Sequence, residues 1–305
     1  MQNHSENTKR IAKNDMIEGP VYLYGSYDIP YVDDGALFHY TSFESFIKIM
    51  ETMTLRSSPL SMMNDLNEAC LAFIDWSEDF LFYKKAEKYI KEECSIICFT
   101  KNYMSHGVCE EGSNHPAMWA HYADNSNGVC IVLDQEVLID NNKDFLADYF
   151  YKLEDVKYSV DCAPDNSISK RGYDSVTELI SKEYRELFFK KHCDWSYEKE
   201  TRFFIELPRI YLNIKGAIKY IVLGWKVLEC EEKLKRIVEM MISPGTSCFH
   251  FLIPQSFAQM LPSGNGYLTA DASNALYQKI SAMADSSILA KLYIEWFNRS
   301  ANVML

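Results

Sequence analysis

The sequence lacks most of the short signatures that tie a chain to a known chemistry. It has no GxGxxG, no P-loop, no GxSxG and no HExxH. Dinucleotide binding on a Rossmann turn, a Walker phosphate cradle, a serine nucleophile elbow and helix-borne zinc therefore have no local support. Nine cysteines are present but none forms a CxxC pair, and no second Cys/His pair stands at zinc spacing. They read as reduced, mostly buried thiols in a cytoplasmic protein, and no metal is expected. No apolar run approaches the length of a membrane span, and the first 18 residues hold no apolar export segment. Residues 1–20 read as a mobile N-terminal arm. A basic excess is missing too. The formal net charge of −12 repels polyphosphates at long range, which disfavours generic DNA or RNA binding. The densest basic stretches, Lys84-Lys85 and Lys190-Lys191, are flanked by acids and read as solvated helix faces.

What the chain does have is a globular composition: 305 residues, 48% hydrophobic and 24% charged, enough to bury a sizeable core. Ala36 to Tyr40 reads as a short strand leading straight into a helix. Thr41-Ser42-Phe43-Glu44 matches a capping box with Thr41 at the N-cap, and Phe43, Phe46, Ile47 and Met50 follow at helical spacing. Thr54 to Ser57 reads as a strand and Ser61 to Asn67 as a turn-rich loop. Glu68 to Glu92 reads as one long amphipathic helix and Cys94 to Thr100 as a buried strand. Residues 101–114 read as a polar loop. His115 to Trp119 starts a short helix with Pro116 in its first turn, and Asn127-Gly128 marks a turn. Strands are predicted at Val129–Leu133, Tyr149–Val160, Glu200–Leu207, Ile218–Leu223 and Ser247–Ile253, with helices at Ser175–His192 and Glu229–Met241. This irregular interleaving fits an α+β domain over residues 21–253, with a mixed, mostly antiparallel, short-stranded sheet flanked by helices. Residues 254–305 read as a Pro/Gly linker and a long amphipathic C-terminal helix, which packs on the domain or docks a partner or a second copy through residues 270–298.

Four polar constellations stand out. In Trp195 to Phe203, strand alternation puts Glu198, Glu200 and Arg202 on one side and Thr201, Phe203 and Ile205 on the other. Such a row is either an ion-pair ladder on a solvated sheet face or a carboxylate pair able to hold a sugar hydroxyl and stabilise positive charge at an anomeric carbon. His39-Tyr40-Thr41 at a strand end offers an imidazole to a ribose hydroxyl, or else a core histidine and a cap. Trp119 and Tyr122 share a helix face on which a planar ring can stack, with His121 pointing elsewhere; core packing is the plainer reading. Asn64-Asp65 precedes a predicted helix, and is either turn chemistry or a pair projected toward a ligand.

In order, FHYTS (38–42), LRSSPLSMMNDLNEA (55–69), SIICFT (95–100), MWAHYADNSNGVCIVL (118–133), KKHCDWSYEKETRFF (190–204) and YIVLG (220–224) resemble the bacterial domain-of-unknown-function family 2971, over about Ala36 to Ile253. More distantly, the chain resembles the ADP-ribosyltransferases. His39, in a His-x-Thr with Thr41, stands for their first element, Thr100 for the second, and Glu198-x-Glu200 for the third. That resemblance implies an ADP-ribosyltransferase-like fold and NAD as substrate, without a metal. Glu200 would then bond the 2′-hydroxyl of the nicotinamide ribose, Glu198 would orient or deprotonate an acceptor, and Trp119 or Tyr122 would stack on nicotinamide. It implies an NAD-consuming transferase or glycohydrolase, as a toxin or phage-defence effector, with an unspecified acceptor macromolecule. Two alternatives stand beside it: a nucleotide or RNA-end binding module without turnover, and a structural protein docking through its C-terminal helix.

Overall fold

The computed structural model describes residues 23–24, 35–63, 71, 74–77, 79–105, 108–110, 112–161, 164–242 and 251–252. Asn64-Asp65, the linker and the C-terminal helix expected from the sequence lie outside these residues. The main strands are β1 (Ala36–Thr41), β2 (Ser95–Thr100), β3 (Val129–Asp134), β4 (Tyr151–Asp155), β5 (Lys190–His192), β6 (Glu200–Ile205) and β7 (Ile218–Leu223). The main helices are α1 (Phe43–Thr52), α2 (Phe80–Glu93), α3 (Pro116–His121), α4 (Val176–Phe188) and α5 (Glu231–Ile242).

Among the described residues nine strands form one sheet. Its path runs Leu23–Tyr24, Phe251–Leu252, β7, β3, β1, β2, β6, β4, with Ser58–Pro59 also pairing with β2. From β7 to β4 every neighbouring pair is antiparallel, and the two terminal pairings are parallel. The fold is therefore a mix of helices and a mostly antiparallel sheet. One sheet face packs on Phe43, Phe46 and Met50 of α1 and Ile237 of α5 through Leu37, Ile97, Phe99, Ile131, Phe203 and Ile205. The opposite face is covered in two separate patches. One joins Ile96 and Phe204 to α2 and α4, and the other joins Phe38, Tyr40, Cys130 and Val132 to Met118 and Trp119 of α3.

The sheet is not continuous between β1 and β2. Phe38 pairs with Thr100, but the other end of β2 pairs with Ser58–Pro59, Ser58 opposite Ile96. The two strands thus part company after one rung. His39 Nδ1 stands 3.1 Å from the carbonyl oxygen of Cys98, taking the place of a ladder donor.

Several local expectations are corrected. Thr41 ends β1, and the α1 cap is Ser42, whose hydroxyl accepts from Ser45 N at 3.2 Å; Glu44 instead pairs with Arg236 at 2.7 Å. Helix α2 starts at Phe80 because Asp79 caps it, accepting from Phe82 N, so Leu71, Ile74 and Trp76 are buried ahead of it. Residues 101–114 hold a hairpin, Tyr103–Ser105 with Val108–Glu110. The stretch 149–160 splits between β4 and a separate strand, Lys157–Ser159, which pairs with β5. Helix α4 stops at Phe188, so Lys190-Lys191 belongs to a strand and is no helix face.

Candidate functional site

The fork between β1 and β2 opens into a cavity of about 250 Å³. Its lining brings together His39 and Tyr40 from β1, Cys98 from β2, Tyr122 after α3, Lys191 from β5, and Glu198 and Glu200 at the start of β6. Phe38, Met62, Met63, Met118 and Trp195 supply apolar wall. A second cavity of about 490 Å³ shares His39, Tyr40, Arg56, Ser58 and Tyr122 with the first, so the two adjoin at the fork.

The polar floor is a buried, charge-balanced network. Glu200 takes a fork-like pair from Arg202, Nε to Oε1 at 2.8 Å and Nη2 to Oε2 at 2.9 Å. Lys191 Nζ bridges both carboxylates, 2.7 Å from Glu198 Oε2 and 3.1 Å from Glu200 Oε2. Tyr122 donates its hydroxyl to Glu198 Oε1. The Arg202 side chain is 0% exposed and the other three charged side chains are 3–7% exposed. Two cations thus balance two anions away from water, which is the condition under which a buried carboxylate pair is tolerable. Burial pushes the Glu200 carboxyl upward, but the Arg202 guanidinium and the Lys191 ammonium outweigh it and hold it down to about 2. Burial, with the hydrogen bond to Glu198 adding to it, raises the Tyr122 phenol, which therefore stays protonated as a donor.

Glu198 ends a 3-10 segment rather than lying on the strand. Lys199 between the carboxylates is left-handed, φ 46°, and this turn delivers both acids to the same floor. Thr100 Oγ1 holds the Glu198 carbonyl at 3.0 Å and the Tyr158 hydroxyl accepts from Glu200 N at 2.9 Å, fixing the backbone on either side. Because the Cys98 carbonyl only accepts, His39 carries its proton on Nδ1, which leaves Nε2 as an acceptor. Burial lowers the His39 pKa, which keeps that neutral form in place.

The sequence candidates separate into three groups. His39, Tyr40, Tyr122, Glu198 and Glu200 line the cavity, and Thr41 lines the adjoining one. Thr100 and Arg202 stand behind it, each bonded to a lining acid. Trp119 is corrected: it is 1% exposed, donates to Ser113 O at 2.7 Å and packs edge-on against Tyr40, so it has no face to offer a ligand. His121 is exposed on the far side of Tyr122, near Tyr197. The solvated ion-pair ladder is corrected as well, since the ion pairs are buried. Lys191, the cation joining the two acids, is a buried strand residue and not part of a solvated helix face. No spacing signal marks it, because its partners lie across a strand and a 3-10 turn. His192, Cys193 and Asp194 bring three possible metal-ligand atoms within 4.8 Å of one another, outside the cavity lining.

Residues 118–203 match the model of a family described as protein of unknown function (DUF2971). The resemblance read from the sequence is met over this stretch, which holds the end of α3, β3, Lys191 and both acids. No curated protein matches the chain. Among solved structures, "Thermus sp. 2.9 DarT in complex with NAD+" aligns with 74% of this chain and 98% of its own at 9% identity, with a TM-score of 0.33. A likeness at that score carries no argument about this fold or site.

Proposed function

We propose that the fork binds NAD and that the protein cleaves its nicotinamide–ribose bond. The observation that supports this is the convergence of His39, Glu198 and Glu200 on one cavity at a break in the sheet. In this reading the neutral Nε2 of His39 accepts a ribose hydroxyl. Glu200, ionised and held rigid by Arg202, accepts the neighbouring hydroxyl and faces the charge that develops on the ribose. The C–N bond breaks heterolytically, its electron pair leaves with neutral nicotinamide, and the oxocarbenium-like ribose is captured by water or an acceptor hydroxyl. The captured oxygen gives its proton to Glu198, whose position Tyr122 fixes. Lone-pair accounting favours this division of labour. A carboxylate has about four acceptor sites. Glu200 takes Arg202 Nε, Arg202 Nη2 and Lys191, and the Cys98 thiol hydrogen-bonds to it as well, so a ligand hydroxyl reaches Glu200 by displacing that thiol. Glu198 uses two sites, for Tyr122 and Lys191, and keeps two for a hydroxyl and a moving proton.

The test is incubation of purified protein with NAD, alone and with cell extract, and mass spectrometry for nicotinamide and for an added ADP-ribose. Glu200→Gln is expected to lower nicotinamide release at least about a hundredfold, the order of a lost charge-stabilising group. Equal release from both proteins would remove the proposal. A second reading, a nucleotide-binding module without turnover, is favoured by the same closed network, because both acids are already neutralised by cations. It predicts ligand binding to both proteins and nicotinamide release by neither.

A further inference from the structure

The second cavity differs from the first in the sign of its charge. Among the described residues no carboxylate lines it. Its lining holds Lys48 of α1 and Arg56 of the strand Thr54–Arg56, together with the hydroxyls of Thr41, Ser42, Ser45, Thr52, Thr54 and Ser58. Both cations are exposed, and among the described residues neither has an ion-pair or hydrogen-bond partner. In a chain of net charge −12, two exposed cations facing one hydroxyl-lined hollow are a local reversal of sign. Arg56 lines both cavities, so the reversal begins where the carboxylate floor ends. Tyr211 lies directly opposite Arg56 in an antiparallel pair, which puts both side chains on the same face, and the residue is 59% exposed in the same lining.

We infer that this groove is a diphosphate subsite, with Arg56 and Lys48 holding the phosphates and Tyr211 offering its ring to the base beyond them. The assignment rests on the NAD reading above and extends it through charge complementarity. The ligand's cationic pyridinium ring and ribose hydroxyls lie toward the acids, and its two phosphate charges lie toward the cations. Arg56 presents a planar fork of donors suited to phosphate oxygens, and Lys48 adds a point charge.

Isothermal titration with ADP-ribose, inorganic pyrophosphate and nicotinamide riboside tests this on the full chain. Arg56→Ala and Lys48→Ala are each expected to raise the dissociation constants of ADP-ribose and pyrophosphate about tenfold, the loss of one charge-assisted contact. Nicotinamide riboside should change less than about twofold. Tyr211→Ala should weaken ADP-ribose about tenfold and leave pyrophosphate unchanged. All three residues are exposed, so the variants keep the fold, checked by an unchanged melting temperature. ADP-ribose affinity unaffected by the double cation variant would overturn the inference, as would an equal loss for nicotinamide riboside. Binding of pyrophosphate without ADP-ribose would mark a free-phosphate site and overturn the nucleotide assignment. The two proposals fail separately. Cation-dependent ADP-ribose binding without nicotinamide release supports the subsite and sinks the cleavage. Nicotinamide release with an unchanged KM in the double variant does the reverse.

Discussion

The guanidinium of Arg202 has no route to water, and its partner Glu200 has almost none. Removing one member of such a pair strands the other, which typically costs about 3–5 kcal/mol. Arg202→Met is therefore expected to lose stability on that scale in urea unfolding, and adding Glu200→Gln should restore part of it. An additive double variant would show that the two groups do not act as a pair. Titration gives a second handle. Burial holds the His39 pKa below its ordinary 6.5, and burial together with Lys199 does the same for His115. In both cases the unfolded chain binds the proton more readily, so stability is fully present above the unfolded pKa of about 6.5 and is lost as pH falls toward the folded values. Chemical denaturation at pH 7.5 and pH 5.5 should show this drop, and His39→Asn, which keeps a donor but does not titrate, should shrink it. Glu200 acts with its depressed folded pKa. Its contribution is present above about 4.5 and is lost as pH falls toward about 2.

At the scale of elements, the α1 cap separates two readings of one stretch. Thr41 and Ser42 are adjacent and chemically alike, so the sequence pattern permits either as the cap. Pairing of Thr41 with Val129 extends β1 by one residue and leaves the cap to Ser42. Ser42→Ala should cost about 1 kcal/mol, whereas the same change would be silent there if Thr41 were the cap. The turn after α3 shows why a polar motif need not be a binding motif. Asp124, Asn125 and Ser126 are all left-handed, and the turn closes through Ser126 N to Trp119 O and Gly128 N to Ala123 O. Asp and Asn tolerate that conformation better than most residues. A Cβ on Gly128 would stand 2.1 Å from the Thr41 carbonyl. Gly128→Ala should accordingly cost at least about 3 kcal/mol, at or above the upper end for overpacking, measured by thermal unfolding. Strands with strong apolar content, such as Val129–Asp134 and Ile218–Leu223, were legible from side chains alone. The start of α2 was not, because Leu71, Ile74 and Trp76 continue a helical spacing while being buried ahead of the helix.

For the molecule as a whole, the acids and the histidine were legible as residue types, and their meeting was implied by the resemblance alone and by no local pattern. It depends on where β1 and β2 diverge, and no local pattern encodes a divergence between segments 59 residues apart. For the same reason the sequence pattern gives Lys191 a solvated helix face and marks Arg56 not at all, since only the assembled walls bring them to the first cavity. Among the described residues no helix is long and apolar enough to cross a membrane. If the cavities take one ligand, binding must raise the unfolding free energy by mass action, by about 2.7 kcal/mol at a hundred times the dissociation constant. A melting temperature that climbs with ADP-ribose concentration in the wild type, and does so less in Arg56→Ala, is the expected result.

The imidazole of residue 39 fills in for a neighbour that the sheet has moved elsewhere. Its Nδ1 donates to the Cys98 carbonyl at the seam, so any replacement at 39 is screened first by architecture. Asparagine, neutral and with N–H groups to lend, should be accepted there, while leucine should loosen the seam before any ligand is offered.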